Sequence, residues 1–208
     1  MKVVATSDLH GHLFDIPECD LLLIAGDIGT DEELFWQTQW FNFVFRDWLN
    51  KVPAKKIIGV AGNHDWPFEK CPELISKDLN WTYLQDSGTE YEGLKIWGSP
   101  WQLPYGLAFN LPEQNLAQKW NMIPGDTNIL ITHSPPFCFG DLNLLCEHCG
   151  SQSLTERIRD SKELRLAVYG HIHSAKGVYD YNGKILANVA AVNEQYELLK
   201  EPFMEFEI

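Results

Sequence analysis

Five short apolar runs rich in β-branched residues, each closed at once by a polar cluster, are the strongest constraint on how this chain folds. They cover residues 2–6, 21–25, 56–61, 128–132 and 166–169, and runs of that length and composition read as strands. Helix-like segments at 31–50, 67–79, 112–121 and 151–162 lie between them. Strands alternating with helices predict a layered α/β protein. Beyond His173 the pattern changes to short strands at 177–181, 184–188 and 203–207, the first two joined by an Asn182-Gly183 hairpin turn.

With 208 residues, 45% of them apolar, a chain of this size buries roughly 70% of its unfolded surface and needs no covalent staple. No composition break, linker or internal repeat divides it, so one domain over 1–208 is expected. Sixteen Lys plus Arg stand against 29 Asp plus Glu, a net charge of −13, which repels polyanions and argues against extended nucleic acid as a partner. The longest apolar stretch, 21–26, is far short of the roughly 20 residues that span a bilayer. Residues 1–6 are too short for a signal peptide. Five cysteines fit reduced thiols better than a disulfide framework. A soluble, cytoplasmic protein without a membrane partner is expected.

Segment 31–50 opens after Thr30, a candidate N-cap, with acidic residues 31–33 at the positive end of the helix dipole. Leu34, Phe41, Phe45 and Trp48 form one stripe, and Trp36, Trp40 and Phe43 a second. Both stripes are either buried within the domain or one serves as a partner or dimer surface.

Sheets of α/β proteins present functional side chains at strand ends. Here the runs end in Ser7-Asp8-Leu9-His10, Gly26-Asp27, Gly62-Asn63-His64-Asp65, His133 and Gly170-His171-Ile172-His173. Each is weak alone; an Asp-x-His triplet or a Gly-Asp turn is commonplace. Their joint occurrence is not, because five of the seven histidines sit at these exits. Carboxylate, imidazole and amide oxygen suit divalent first-row cations, and the absence of Cys disfavours a structural zinc knot. The ligand count implies two cations, roughly 3.5 to 4 Å apart, sharing one carboxylate.

The ordered set Asp8-x-His10, Gly26-Asp27, Gly62-Asn63-His64-Asp65, His133 and Gly170-His171-x-His173 resembles the calcineurin-like metallophosphoesterase superfamily. Gly98-Ser99-Pro100-Trp101-Gln102, the stretch 131–136 and Glu147-His148-x-Gly150 look like the branch of brain metallophosphoesterase-domain proteins and class III cyclic-nucleotide phosphodiesterases. The resemblance implies a four-layer α/β/β/α sandwich, the metallo-dependent phosphatase fold. It implies Asp8, His10, Asp27 and His173 around one metal, and Asp27, Asn63, His133 and His171 around the other, with manganese first and iron, zinc or nickel as alternatives. His64, with Asn63, would meet the substrate, His64 acting as proton donor and Asp65 orienting it through a hydrogen bond. The implied reaction is attack of a metal-activated hydroxide on a small phosphodiester, cyclic nucleotides being the favoured class. A phosphomonoesterase or protein phosphatase is the alternative. A nuclease is disfavoured by the acidity, and a non-catalytic scaffold by the complete ligand set.

His12 and His148 remain, each either lining the substrate site or purely structural. Cys146-x-x-Cys149 supplies two thiolates at a metal or redox spacing, but no further ligand pair completes a zinc site. Trp97, Trp101 and Tyr105 form either an aromatic wall for a nucleobase or the packing of a loop.

Overall fold

The computed structural model describes residues 1–104 and 106–208; Tyr105, and any aromatic wall that includes it, lies outside them. Among the described residues eleven strands form two mixed sheets. The first has the order β11 (Met204–Glu207), β1 (Lys2–Thr6), β2 (Cys19–Ala25), β3 (Ala54–Val60), β4 (Thr82–Tyr83); β1 to β4 run parallel and β11 antiparallel. The second has the order β5 (Ser87–Tyr91), β6 (Leu94–Ser99), β7 (Ile129–Thr132), β8 (Leu166–Tyr169), β10 (Lys184–Asn188), β9 (Gly177–Tyr181). Its four central strands are parallel and its edges are antiparallel hairpins.

Alternation along the strands builds the layers. On β2, Leu21, Leu23 and Ala25 join Val3, Ala5, Ile58 and Val60 against Ile96, Ile131, Val168 and Ala187 of the facing sheet. Leu22 and Ile24, one residue out of phase, pack instead with Phe41, Phe45 and Leu49 on the outer side. The second sheet turns Leu130, Ala167 and Leu186 outward onto Leu116 and Trp120 of α4 (Glu113–Trp120) and Leu154 and Ile158 of α5 (Gln152–Asp160). The result is the expected helix, sheet, sheet, helix order. At one end of the sandwich a bridge between Ser7 and Ala190 stitches the two sheets together.

The aromatic segment departs from its expected form. The helix begins at Leu34, without a side-chain cap, as α1 (Leu34–Trp40), widens to a π-turn (Phe41–Phe45) and closes as α2 (Arg46–Leu49). Thr30 does not cap it: its carbonyl accepts from Glu32 N and Gln37 Nε2, which holds residues 30–32 in a turn ahead of the helix. Phe41 and Phe45 are fully buried, each burial contributing about 1.5–3 kcal/mol. The second stripe is covered only in part: Trp40 packs on Phe45, while Trp36 and Phe43, and Phe35 beside them, are each about 60% exposed. The expected helix at 67–79 is cut to α3 (Trp66–Lys70) and a 3-10 turn (Pro72–Leu74). Pro72 disfavours helical backbone in the residue before it, and Cys71 lies outside the helical region at φ −149° and ψ 53°. Strands β4, β5 and β6 were not expected; β5 and β6 turn at Glu92-Gly93, both at positive φ. The Asn182-Gly183 turn forms as predicted. Among the described residues, no helix is long and apolar enough to cross a membrane.

Candidate metal centre

Strands β1, β2 and β3 of one sheet and β7 and β8 of the other end at the stitched edge, and the chain leaves them abruptly. Asp8, His10, Asp27 and His171 all adopt positive φ, at 53°, 42°, 51° and 71°. That backbone costs a non-glycine residue about 1–3 kcal/mol and persists only where the surroundings enforce it. The enforcement is visible. Asp8 N donates to Gly26 O at 2.9 Å, His10 N to Asp27 O at 3.0 Å, and His171 N to the Asp8 carboxylate at 2.9 and 3.1 Å. Two glycines make room for it. A Cβ on Gly62 would stand 2.2 Å from Asp27 Oδ1, and one on Gly170 would stand 2.0 Å from Asp8 Oδ2.

Three overlapping groups of side chains converge: Asp8, His10 and His173; His10, Asp27 and His64; Asp27, His133 and His171. Asp27 joins two of them, its Oδ2 lying 3.3 Å from His133 Nε2 and 3.8 Å from His10 Nε2. Asn63 Oδ1 is 2.9 Å from His133 Nε2, and Asp8 Oδ1 is 3.4 Å from His173 Nε2. His133 Nδ1 donates to Ala25 O and His173 Nδ1 to Asn193 O, at 2.9 and 3.1 Å, so in both rings Nε2 is the nitrogen presented to the cluster. His10 is buried with neither ring nitrogen hydrogen-bonded. Burying an imidazole without a partner is costly, and a cation between these donors removes that cost. The donor set of carboxylate, amide oxygen and imidazole, without sulfur, fits divalent first-row metals.

Charge is concentrated here. Burial works against ionised Asp27, yet the charges of His133, His64 and His10 and the His133 hydrogen bond hold its carboxyl well below the usual range. Asp8, likewise opposed by burial, is drawn down to about 2 by His173 and His133. His133 and His173 are pulled down by burial but lifted to about 9 by Asp27 and Asp8, while burial and the neighbouring His133 push His171 to about 3. The two carboxylates are thereby held ionised, which favours positive charge between them.

The residues expected around His64 are arranged differently. Asp65 does not meet the His64 ring. Its buried carboxylate accepts from Ile28 N at 3.0 and 3.2 Å, Gly29 N at 2.8 Å and Gly62 N at 2.8 Å, tying the β2 exit to the β3 exit. Burial and the charge of Asp27 raise it to about 6 against those three donors. The group against His64 is Asp31, whose Oδ1 lies 2.5 Å from His64 Nδ1. Backbone contacts also fix the loop, with His64 N on Asp27 Oδ1 at 2.8 Å and Gln37 Nε2 on His64 O at 2.7 Å.

His12 and His148 stand outside the three groups. His12 Nε2 donates to Tyr196 O at 3.0 Å. His148 packs on Phe137 and its Nδ1 pairs with Asp141 at 2.9 Å. Trp101 is spent on packing: its Nε1 donates to Asp86, Lys119 covers its face and Phe109 meets its edge. Trp97 packs beside it in the outer core of the second sheet. Cys138 and Cys146 are exposed, and among the described residues no cysteine joins a metal-competent group. Two site residues escaped the sequence reading, Asp31 and Tyr196. Asp31 was legible only as a helix-start acid, and Tyr196 lies beyond the last motif.

The calcineurin-like phosphoesterase family profile matches residues 1–175. The human metallophosphoesterase domain-containing protein 1 is 33% identical over 98% of this chain and 70% of its own length. Among solved structures, the phosphopantetheinyl hydrolase PptH of Mycobacterium tuberculosis superposes with a TM-score of 0.64 at 15% identity over 99% of this chain and 95% of that one. A dimetal phosphatase from Danio rerio does so with 0.56 at 13% identity over 91% and 87%.

Proposed function

We propose that this chain, which belongs to the calcineurin-like phosphoesterase family, hydrolyses small phosphodiesters, cyclic nucleotides first among them, in the cytoplasm. The observation that carries the reading is Asp27, one buried carboxylate within reach of both His133 and His10 and shared by two ligand groups. Asp8, His10, Asp27 and His173 would hold one divalent cation and Asp27, Asn63, His133 and His171 the other, manganese being the favoured metal. When bound, the pair supplies a nucleophile from water near neutral pH and neutralises the phosphoryl oxygens.

The chain's own residues do the rest. Asp27 lifts the affinity of His64 for a proton against burial, and Asp31 adds to it. With Nδ1 engaged by Asp31, Nε2 is the nitrogen that delivers the proton to the departing oxygen, a contribution typically of about 10²–10⁴ in rate. Asn63 and His64 occupy one loop, so amide and imidazole approach the same phosphoryl group. Surface charge sets size selectivity: a net charge of −13 repels a long polyanion outside the site but leaves a small ester free to reach it.

Manganese-loaded protein, with Asp27→Ala as the blank, is assayed on a chromogenic phosphodiester, its monoester, and 2′,3′- and 3′,5′-cyclic AMP. Diester preference supports the proposal. Monoester preference overturns the substrate class, and no turnover with metal bound overturns the reaction.

A further inference from the structure

Beyond the last sequence motif, residues 193–197 fold into a tight turn that is fastened to the metal-ligand segments. Asn193 Oδ1 accepts from Gln195 N and Glu197 N at 2.9 and 3.0 Å, and its Nδ2 donates to Glu197 Oε2 at 2.9 Å. The Asn193 carbonyl takes His173 Nδ1, and Glu194 Oε1 takes Ser174 N at 2.9 Å. From the opposite side His12 Nε2 grips Tyr196 O. What the turn displays is Tyr196, at φ 61°. Its ring meets three histidines of the cluster by edge contacts, with centroids 4.5 Å from His10, 5.6 Å from His173 and 6.3 Å from His64. Yet the residue is 42% exposed. Here a left-handed backbone and an anchored turn hold an aromatic ring half open beside the ligands.

We infer that Tyr196 is a specificity-determining residue: its ring forms a wall of the site and takes the flat face of a planar, aromatic or heteroaromatic group on the phosphoester. The inference rests on the phosphoesterase reading and sharpens it to esters carrying such a group. It also gives His12 a task, that of holding the wall by its main chain.

The test is binding of two non-hydrolysable probes, phenylphosphonate and methylphosphonate, to the manganese-loaded 208-residue chain by calorimetry, with metal content measured in parallel. Aromatic contacts of this kind predict that wild type prefers the phenyl probe by about 3- to 10-fold. Tyr196→Phe keeps the preference. Tyr196→Ala and the bulkier, non-aromatic Tyr196→Leu lose it, with methylphosphonate affinity and metal content unchanged. A preference that survives in both variants, equal loss for both probes, loss of metal, or no preference in wild type overturns the inference. A wild-type protein that binds and discriminates the phosphonates but turns over no ester leaves the wall intact and refutes the hydrolase reading instead. Failure to bind either probe overturns the inference, while turnover of the esters decides the phosphoesterase reading separately.

Discussion

Asp65 and Asp31 exchange the roles that chain order suggests, and replacing each in turn separates a residue that holds the site from one that works in it. Asp65 is fully buried and receives three main-chain N–H groups, from Ile28, Gly29 and Gly62. In Asp65→Ala those donors lose their acceptor inside the protein, and each unsatisfied buried group costs about 1–3 kcal/mol. The sum is about 3–9 kcal/mol, and at roughly 2–4 °C per kcal/mol for a chain of this length the melting temperature falls by roughly 6 °C or more. Asp31 is different. Its side chain is 59% exposed, and an exposed pair of this kind contributes at most about 1 kcal/mol. Asp31→Ala therefore melts near wild type and loses kcat, because the His64 ring loses its partner. The assay pairs urea denaturation with steady-state hydrolysis for both variants. An Asp65→Ala protein that loses less than about 1 kcal/mol of stability while its kcat collapses would return Asp65 to His64 and refute the argument.

Asp27→Ala removes the ligand common to two groups, so bound metal falls below half of wild type and turnover is abolished; a variant with normal metal content and activity sinks the shared-ligand assignment. Gly62→Ala forces its new methyl onto Asp27 and its main chain, at a cost of about 1–3 kcal/mol and with loss of metal, whereas Gly125→Ala, which meets only open space, binds metal normally. Metal-free protein loses stability as pH rises from 6.5 to 8. His133 and His173 are held up to about 9, so their contribution is complete below 6.5 and drains as pH climbs toward that value. Above 8 the half-buried Lys176, lowered to about 8 by desolvation, acts in the opposite sense. Thermal melts in chelator check this, and a flat or rising profile between 6.5 and 8 would contradict it.

Much of this was legible in the residues because the central strands are apolar and the site residues follow them directly. The β2 run shows the limit. Its consecutive leucines announce a buried strand but not which face meets which layer, a choice that depends on the second sheet. The same holds for Phe41 and Phe43, two residues apart in one aromatic segment, of which one is fully buried and the other exposed. The stripes separate the two residues but do not say which stripe meets the sheet. At the site, strand exits made Asp8, Asp27, His133 and His171 conspicuous. Asp31 was hidden because its partner lies 33 residues away. Tyr196 was hidden because nothing in its neighbours' chemistry marks it, only the fastening of its turn. Asp65 follows His64 directly in sequence, yet the backbone sends the two side chains to different tasks, the Asp65 carboxylate to Ile28, Gly29 and Gly62 and the His64 ring to Asp31.

The stitched edge also dictates when during folding the centre comes into being. His171 N reaches the Asp8 carboxylate across 163 residues, and His133 meets Ala25 across 108. Closing loops of that length is entropically expensive, so such contacts form after local helices and hairpins. The centre is therefore an outcome of folding and not its nucleus. Tight metal capture reports a finished molecule, and a nascent chain that has not yet delivered its last parallel strands carries ligands but no site.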